Sequence, residues 1–245
     1  MPREASMNAL IVYAHPERTS FNAALKDAAV DAIVAAGHRA EVSDLYAQQF
    51  NPVAGRHDFH SVADATRFHY QGEQLHAAQN DAFSDEIKRE HARVSEADVI
   101  ILQFPLWWGA PPAILKGWFD RVLAYGFAYA DGRRFDKGLF QGRGGLMCVT
   151  TGGTPARFSP EGEYGEIDRV LWPVRHLTLE YLGLDVGEPF VCYGTPRVDD
   201  VTRAGYLRDW KARITETMSR DYARAAPEQT SREVAGNATS WTSRV

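Results

Sequence analysis

The sequence predicts an α/β domain on a doubly wound, five-stranded parallel sheet with helices on both faces. Strand-like apolar runs alternate with helix-periodic stretches from Asn8 to about residue 225, without repeat or linker. The most apolar run, "ADVIILQFP" (97–105), is continuous, as in a strand buried on both faces. With 245 residues, 44% of them apolar and 24% charged, the chain is long enough to bury one sizeable core. The domain is read as residues 7–225, with an insertion at about 51–81 and a polar, aperiodic tail at 226–245 expected to be mobile.

The first strand is Asn8 to Tyr13. Phe21, Ala24, Leu25, Ala28, Ala29, Ala32, Ile33 and Ala36 then repeat at three and four, which predicts an amphipathic helix stopped at Gly37. Alternation over Arg39 to Tyr46 predicts the second strand. The insertion is less regular, although Phe59, Phe68 and Tyr70 favour order. A polar helix is expected from Ser84 to Glu96, and a Pro-initiated one over 111–123. "GLMCVTTGG" and "VGEPFVCYG" supply the last two strands. Pro173 should bend or divide the helix between them, and a final helix is expected over about 200–225.

A net charge of −5 with no basic run argues against nucleic acid or an anionic membrane as partner. No apolar run nears the ~20 residues of a membrane span. The opening "MPREASMNAL" lacks the apolar middle of a signal peptide, so a cytoplasmic protein is expected, with a loose arm before Met7. Cys148 and Cys192 are read as reduced core thiols.

In an open α/β sheet, ligands bind beyond the carboxyl ends of the strands. Three loops lie there. In "HPERTSFN", Thr19, Ser20 and Asn22 can cap a helix whose free N–H groups suit an anion, with His15 as a further donor. In "FPLWWGAPP", Trp107 and Trp108 are adjacent in a proline-stiffened loop. Successive extended residues face opposite ways, so one of them should line a wall against which a planar ring can stack. In "TTGG" (150–153), hydroxyls and glycine N–H groups can meet a ring's polar edge. G-x-x-x-x-G-K-[ST], G-x-G-x-x-G after the first strand, and G-x-S-x-G are all absent. Together the loops predict a phosphate end and a planar heterocycle between walls, as in a flavin nucleotide.

"ALIVYAHPERTSFN", "SDLY…FNP", "QFPLWW…PAILKGWFDRV", "FAY", "VTTGG" and "LWP", in this order from about Asn8 to Arg213, resemble the flavodoxin-like NAD(P)H:quinone oxidoreductases, the DT-diaphorase group. The resemblance implies a flavodoxin-like fold and a homodimer binding FAD rather than FMN. NAD(P)H would deliver hydride and leave, and a quinone would replace it in a ping-pong cycle. It implies cofactor-phosphate contacts from His15, Phe21 and Asn22, beside the capping Thr19 and Ser20 read from the loop itself. Pro105, Leu106, Trp107, Trp108 and Gly109, then Thr150, Thr151, Gly152, Gly153 and Phe158, would follow the flavin ring, with Arg203 at the adenine end. Trp108, Tyr129, Asp131 and Tyr164 would meet the substrate, Tyr129 as a lid from the partner subunit.

Mammalian members have a tyrosine and a histidine where this chain has Phe158 and Tyr164, so the two-residue relay that stabilises charge there cannot operate unchanged. Trp107, Gly109, Asp131 and His69 are further departures. The Gly152 and Gly153 N–H groups, assisted by Tyr164, are expected to stabilise charge on the reduced flavin, at about 3–4 kcal/mol per good donor. His176 and Glu180 lie where some relatives carry zinc, but a third ligand is not evident, so no metal is expected; His57 and His60 are read as solvated. Two alternatives stay open: a regulatory flavoprotein subunit of an ion-efflux system, and an electron-transfer carrier.

Overall fold

The computed structural model describes residues 6–223, so the arm before Ser6 and the tail 226–245 lie outside the described residues. Six strands form one parallel sheet: β1 (Asn8–Tyr13), β2 (Arg39–Asp44), β3 (Val99–Pro105), β4 (Gly144–Thr150), β5 (Asp185–Val186) and β6 (Phe190–Cys192). The order is β2-β1-β3-β4-β5, with β6 also on β4. The expected fifth strand is therefore split in two. Pro189 has no N–H for the ladder, and pairing lapses between Val186 and Phe190. Register sets Ile11 beside Val42 on one side and Ile101 on the other.

The pleat sorts side chains into two cores. Leu10, Val12, Ile100, Leu102, Met147 and Val149 face one side, packed with Ile87, Val94, Leu115, Trp118 and Leu171. Those come from α3 (Asp85–Glu96), α4 (Ala113–Val122) and α5 (Ile167–Val174). Ala9, Ile11, Val99, Ile101, Leu146 and Cys148 face the other, under α1 (Phe21–Ala35) and α6 (Asp200–Met218). The small stripe Ala28, Ala29 and Ala32 is buried in this second core, and Trp210 Nε1 donates to Leu25 O at 3.1 Å. Gly37 stops α1 in the left-handed region at φ 86°. Cys148 and Cys192 are free and buried, and burial pushes the Cys148 thiol up.

Two expectations are corrected. The insertion contains a helix, α2 (Tyr70–Asn80), whose buried face includes Glu73 and Gln74. Those polar groups are satisfied: Glu73 accepts the Ala63 and Asp64 N–H groups, and Gln74 bonds Asp120 O and the Tyr125 N–H. The final helix stops at Met218 with Ser219 as cap, short of residue 225. His57 and His60, read as solvated, are indeed exposed and meet Asp58 and Asp85 at the surface. After Pro173, likewise, α5 gives way to a π-helical turn (Arg175–Leu179) and then a tight turn (Glu180–Leu182), the division expected.

The insertion is held to the sheet by buried charge. Arg121 on α4 donates to Asp58 Oδ1 through Nε at 2.8 Å and reaches Glu86 and the Asn51 carbonyl. Gly117, one turn earlier on α4, lies against Pro52 so closely that a Cβ would sit 2.2 Å from its carbonyl oxygen.

Candidate flavin site

The strand order reverses direction between β1 and β3, so the loops that follow them open on either side of a crevice. After β1, Ser20 is the N-cap of α1, accepting the Ala23 N–H at 3.1 Å. Thr19 is not a cap. Its N–H and hydroxyl both meet Glu17 Oε1 at 2.8 Å and hold the Glu17 carboxyl below its ordinary range. The Glu17 N–H in turn donates to His15 Nδ1 at 3.1 Å, so the loop is a closed set of polar contacts. Sequence reasoning passed over Glu17, a carboxylate two residues from each of its partners.

Asn22 is buried in the first turn of α1. Its Nδ2 donates to Thr150 Oγ1 at 2.7 Å, and its carbonyl accepts from Gln103 Nε2 at 2.5 Å. Asn22 thus serves as a strut between α1, β3 and β4. Its Oδ1 and Gln103 Oε1 are buried without a protein partner. Two orphaned acceptors at the strand ends suit a bound group that brings its own N–H or O–H donors. Gln103, the one polar residue in "VIILQFP", was the visible sign of this.

After β3, Leu106 N–H donates to Thr150 O at 2.8 Å, which ties the second loop to the third. Trp107 and Ala110 exchange two backbone hydrogen bonds of 3.0 Å. The two residues between them, Trp108 (φ 52°) and Gly109 (φ 71°), both lie in the left-handed region, the pattern of a type I′ turn. Glycine meets that demand freely, whereas tryptophan is strained there. The turn holds Trp108 fully in solvent while Trp107 is less exposed, 6.1 Å from the His15 ring. The loop is thus a tight turn and not the extended segment expected, although neither tryptophan is buried in the core.

After β4, Thr150 and Thr151 are buried. The Gly153 N–H donates to Thr151 Oγ1 at 3.0 Å. The expectation that both glycine N–H groups are free donors is therefore corrected: Gly153's is engaged in a local turn, leaving Gly152's. A Cβ on Gly153 would stand 2.6 Å from Phe158 and 3.1 Å from Tyr164, so the glycine lets both rings close over the loop. Those rings are 5.1 Å apart, Phe158 buried and Tyr164 half exposed. Arg197, also missed, donates to Gly152 O at 2.7 Å. Arg203 reaches Thr195 O at 3.3 Å, and the Thr195 N–H donates to Thr151 O at 3.1 Å, so α6 is linked to this loop. Phe21 at the start of α1 lies 6.3 Å from the ring of Tyr206 on α6.

Tyr129 belongs to another surface. It packs against Tyr125 and Tyr181, accepts from Gln71 at 3.5 Å, and lines a groove of about 640 Å³ with Gln74, Phe119, Leu123 and Leu177. Asp131 lies close by, 3.8 Å from Arg134. His176 Nδ1 is 2.7 Å from Glu180 Oε2, its ring between Trp172 and Phe135.

The family model described as flavodoxin-like fold matches residues 7–214. NAD(P)H dehydrogenase (quinone) 1 of Cavia porcellus is 42% identical over 211 residues, 86% of this chain and 77% of that protein. The ribosyldihydronicotinamide dehydrogenase (quinone) of Pongo abelii is 40% identical, over 86% of this chain and 91% of its own length. A Klebsiella pneumoniae protein described as a candidate quinone reductase superposes with a TM-score of 0.84 at 36% identity, covering 88% of this chain and 86% of that one. The chain therefore belongs to the quinone oxidoreductase family of flavodoxin-like fold.

Proposed function

We propose that the chain is a flavin-dependent NAD(P)H:quinone oxidoreductase that binds FAD and works as a cytoplasmic homodimer. The observation that carries the reading is the convergence of three strand-end loops at the β1/β3 crevice. One carries a capped helix N-terminus, one a strained tryptophan turn, and one a buried threonine pair with glycines. Membership of the family supports the activity, and Arg203 near the third loop supports an adenine end.

A bound flavin would supply the hydride chemistry that links NAD(P)H to a quinone-like acceptor. The first turn of α1, with Ser20 as cap and His15 beside it, would hold the phosphates through its N–H groups. Trp107 and Leu106 give the ring its apolar wall. Trp108, held outward by its turn, extends that wall toward the second substrate. The Gly152 N–H and the Tyr164 hydroxyl would donate to the ring's polar edge, with the buried Phe158 packed against Tyr164. Tyr129 and Asp131, on their separate surface, would serve the partner copy's site. No helix among the described residues is long and apolar enough to cross a membrane.

The test is anaerobic stopped flow on purified protein with NADH, then NADPH, then a quinone. A yellow protein bleached by the nicotinamide and recoloured by the quinone is expected. A colourless protein that takes up no flavin would overturn the reading, and a flavoprotein that nicotinamide cannot reduce would favour a carrier. Acid release of the cofactor separates FAD from FMN, and sedimentation gives the oligomeric state.

A further inference from the structure

The segment that follows the third loop brings a cation to Tyr164. Arg157 lies in the tight turn Pro155–Phe158. Its Nη1 donates to Tyr164 Oη at 3.2 Å, and its guanidinium carbon is 5.7 Å from the centre of the Tyr164 ring. Backbone geometry builds this contact. The Tyr164 N–H donates to Arg157 O at 3.0 Å, and Gly162 passes so near that a Cβ there would sit 2.3 Å from that oxygen. The hairpin closes only with glycine at 162, and closing it sets Arg157 beside Tyr164.

Arginine has donors and no acceptor, so Tyr164 Oη must accept from it. The phenol proton is then left to point elsewhere. Positive charge behind the oxygen also polarises the O–H bond and makes it a stronger donor. On this loop Phe158 has no proton to give, and the Gly153 N–H is spent on Thr151 Oγ1. Beyond the Thr150 and Thr151 hydroxyls, Tyr164 is the donor this segment adds, and Arg157 is the charge that supports it.

We propose that Arg157 is a positioning residue acting through Tyr164. It fixes the hydroxyl as a donor toward the bound ring and stabilises the negative charge that hydride uptake leaves there. The proposal rests on the flavin reading above and makes or breaks no bond at Arg157. Glu163 Oε2, 3.5 Å from Arg157 Nε, and solvent over the half-exposed guanidinium moderate the effect.

The experiment is the midpoint potential of the bound flavin in wild type, R157M, R157K, Y164F and the R157M/Y164F double variant. R157M is expected to weaken the preference for reduced over oxidised flavin about tenfold, which for a two-electron couple lowers the potential by about 30 mV. R157K should restore at least half of that. In the Tyr164→Phe background, Arg157→Met should add nothing. An unchanged potential in R157M, a loss in R157K as large as in R157M, or an undiminished shift in the double variant overturns the proposal. A wild-type protein that holds no flavin overturns the parent reading itself, so the two failures are distinguishable.

Discussion

Asn22 Nδ2 donates to Thr150 Oγ1 across 2.7 Å, joining the first turn of α1 to the end of β4 over 128 positions of sequence. Both residues are buried, and Asn22 Oδ1 already lacks a partner. Thr150→Val keeps the shape and removes the acceptor, leaving a second orphan on the same amide. The flavin-free protein should lose about 1–3 kcal/mol in urea denaturation. An unchanged midpoint would mean that the strut contributes nothing.

Trp108 occupies a left-handed position that asparagine tolerates far better. Trp108→Asn should therefore stabilise the flavin-free protein by about 1 kcal/mol, read as a raised denaturation midpoint. The same change removes a fully exposed aromatic face from the proposed substrate side, so KM for a quinone should rise. A destabilised variant would show that the turn holds no strain.

His91 is buried between Phe83 and Phe127, stacked 3.7 Å from the latter, with Nε2 2.9 Å from Val122 O. Burial lowers its pKa to about 3 from the ordinary 6.5. Because the folded value is the depressed one, the unfolded chain binds the extra proton between these limits. Stability from this group is thus complete above pH 6.5 and is lost as pH falls toward 3. Wild type should lose about 2 kcal/mol from this group between pH 7 and 5, a slope that His91→Phe removes. Parallel stability–pH curves would refute this.

Gly117 and Pro52 are in backbone contact where α4 meets the insertion. Gly117→Ala must push them apart against the Arg121 anchor below. A loss of about 1–3 kcal/mol is expected, together with faster proteolysis within 51–81. Equal protease resistance would place the junction elsewhere.

The elements most legible in the sequence were those whose burial is apolar and periodic. The "VIIL" of β3 and the i, i+3, i+4 pattern of α1 led to the right elements because both bury hydrocarbon. Helix α2 escaped notice because its inward face carries Glu73 and Gln74, whose partners lie on other segments. The strand-end loops could be placed because "WWG" and "TTGG" each follow a strand whose apolar run was plain. What lay beyond reach was how side chains divide their hydrogen bonds. Nothing in "TTGG" says that Thr151 takes the Gly153 N–H, and nothing in "TPARFSPEGEY" says that Arg157 folds back on Tyr164. Those choices depend on turn closure at Gly162 and on ring packing at Gly153, which are matters of distance.

The tryptophans give the molecule a built-in optical contrast. Trp118 and Trp210 are sealed inside, their indole N–H groups bonded to Glu90 Oε2 and Leu25 O. Trp108 stands wholly in water at the lip of the crevice. A collisional quencher such as iodide reaches the second kind and spares the first. Trp107 and Trp172 are partly open to it as well, so a guest that slides against the turn and shades Trp108 removes part of the quenchable emission.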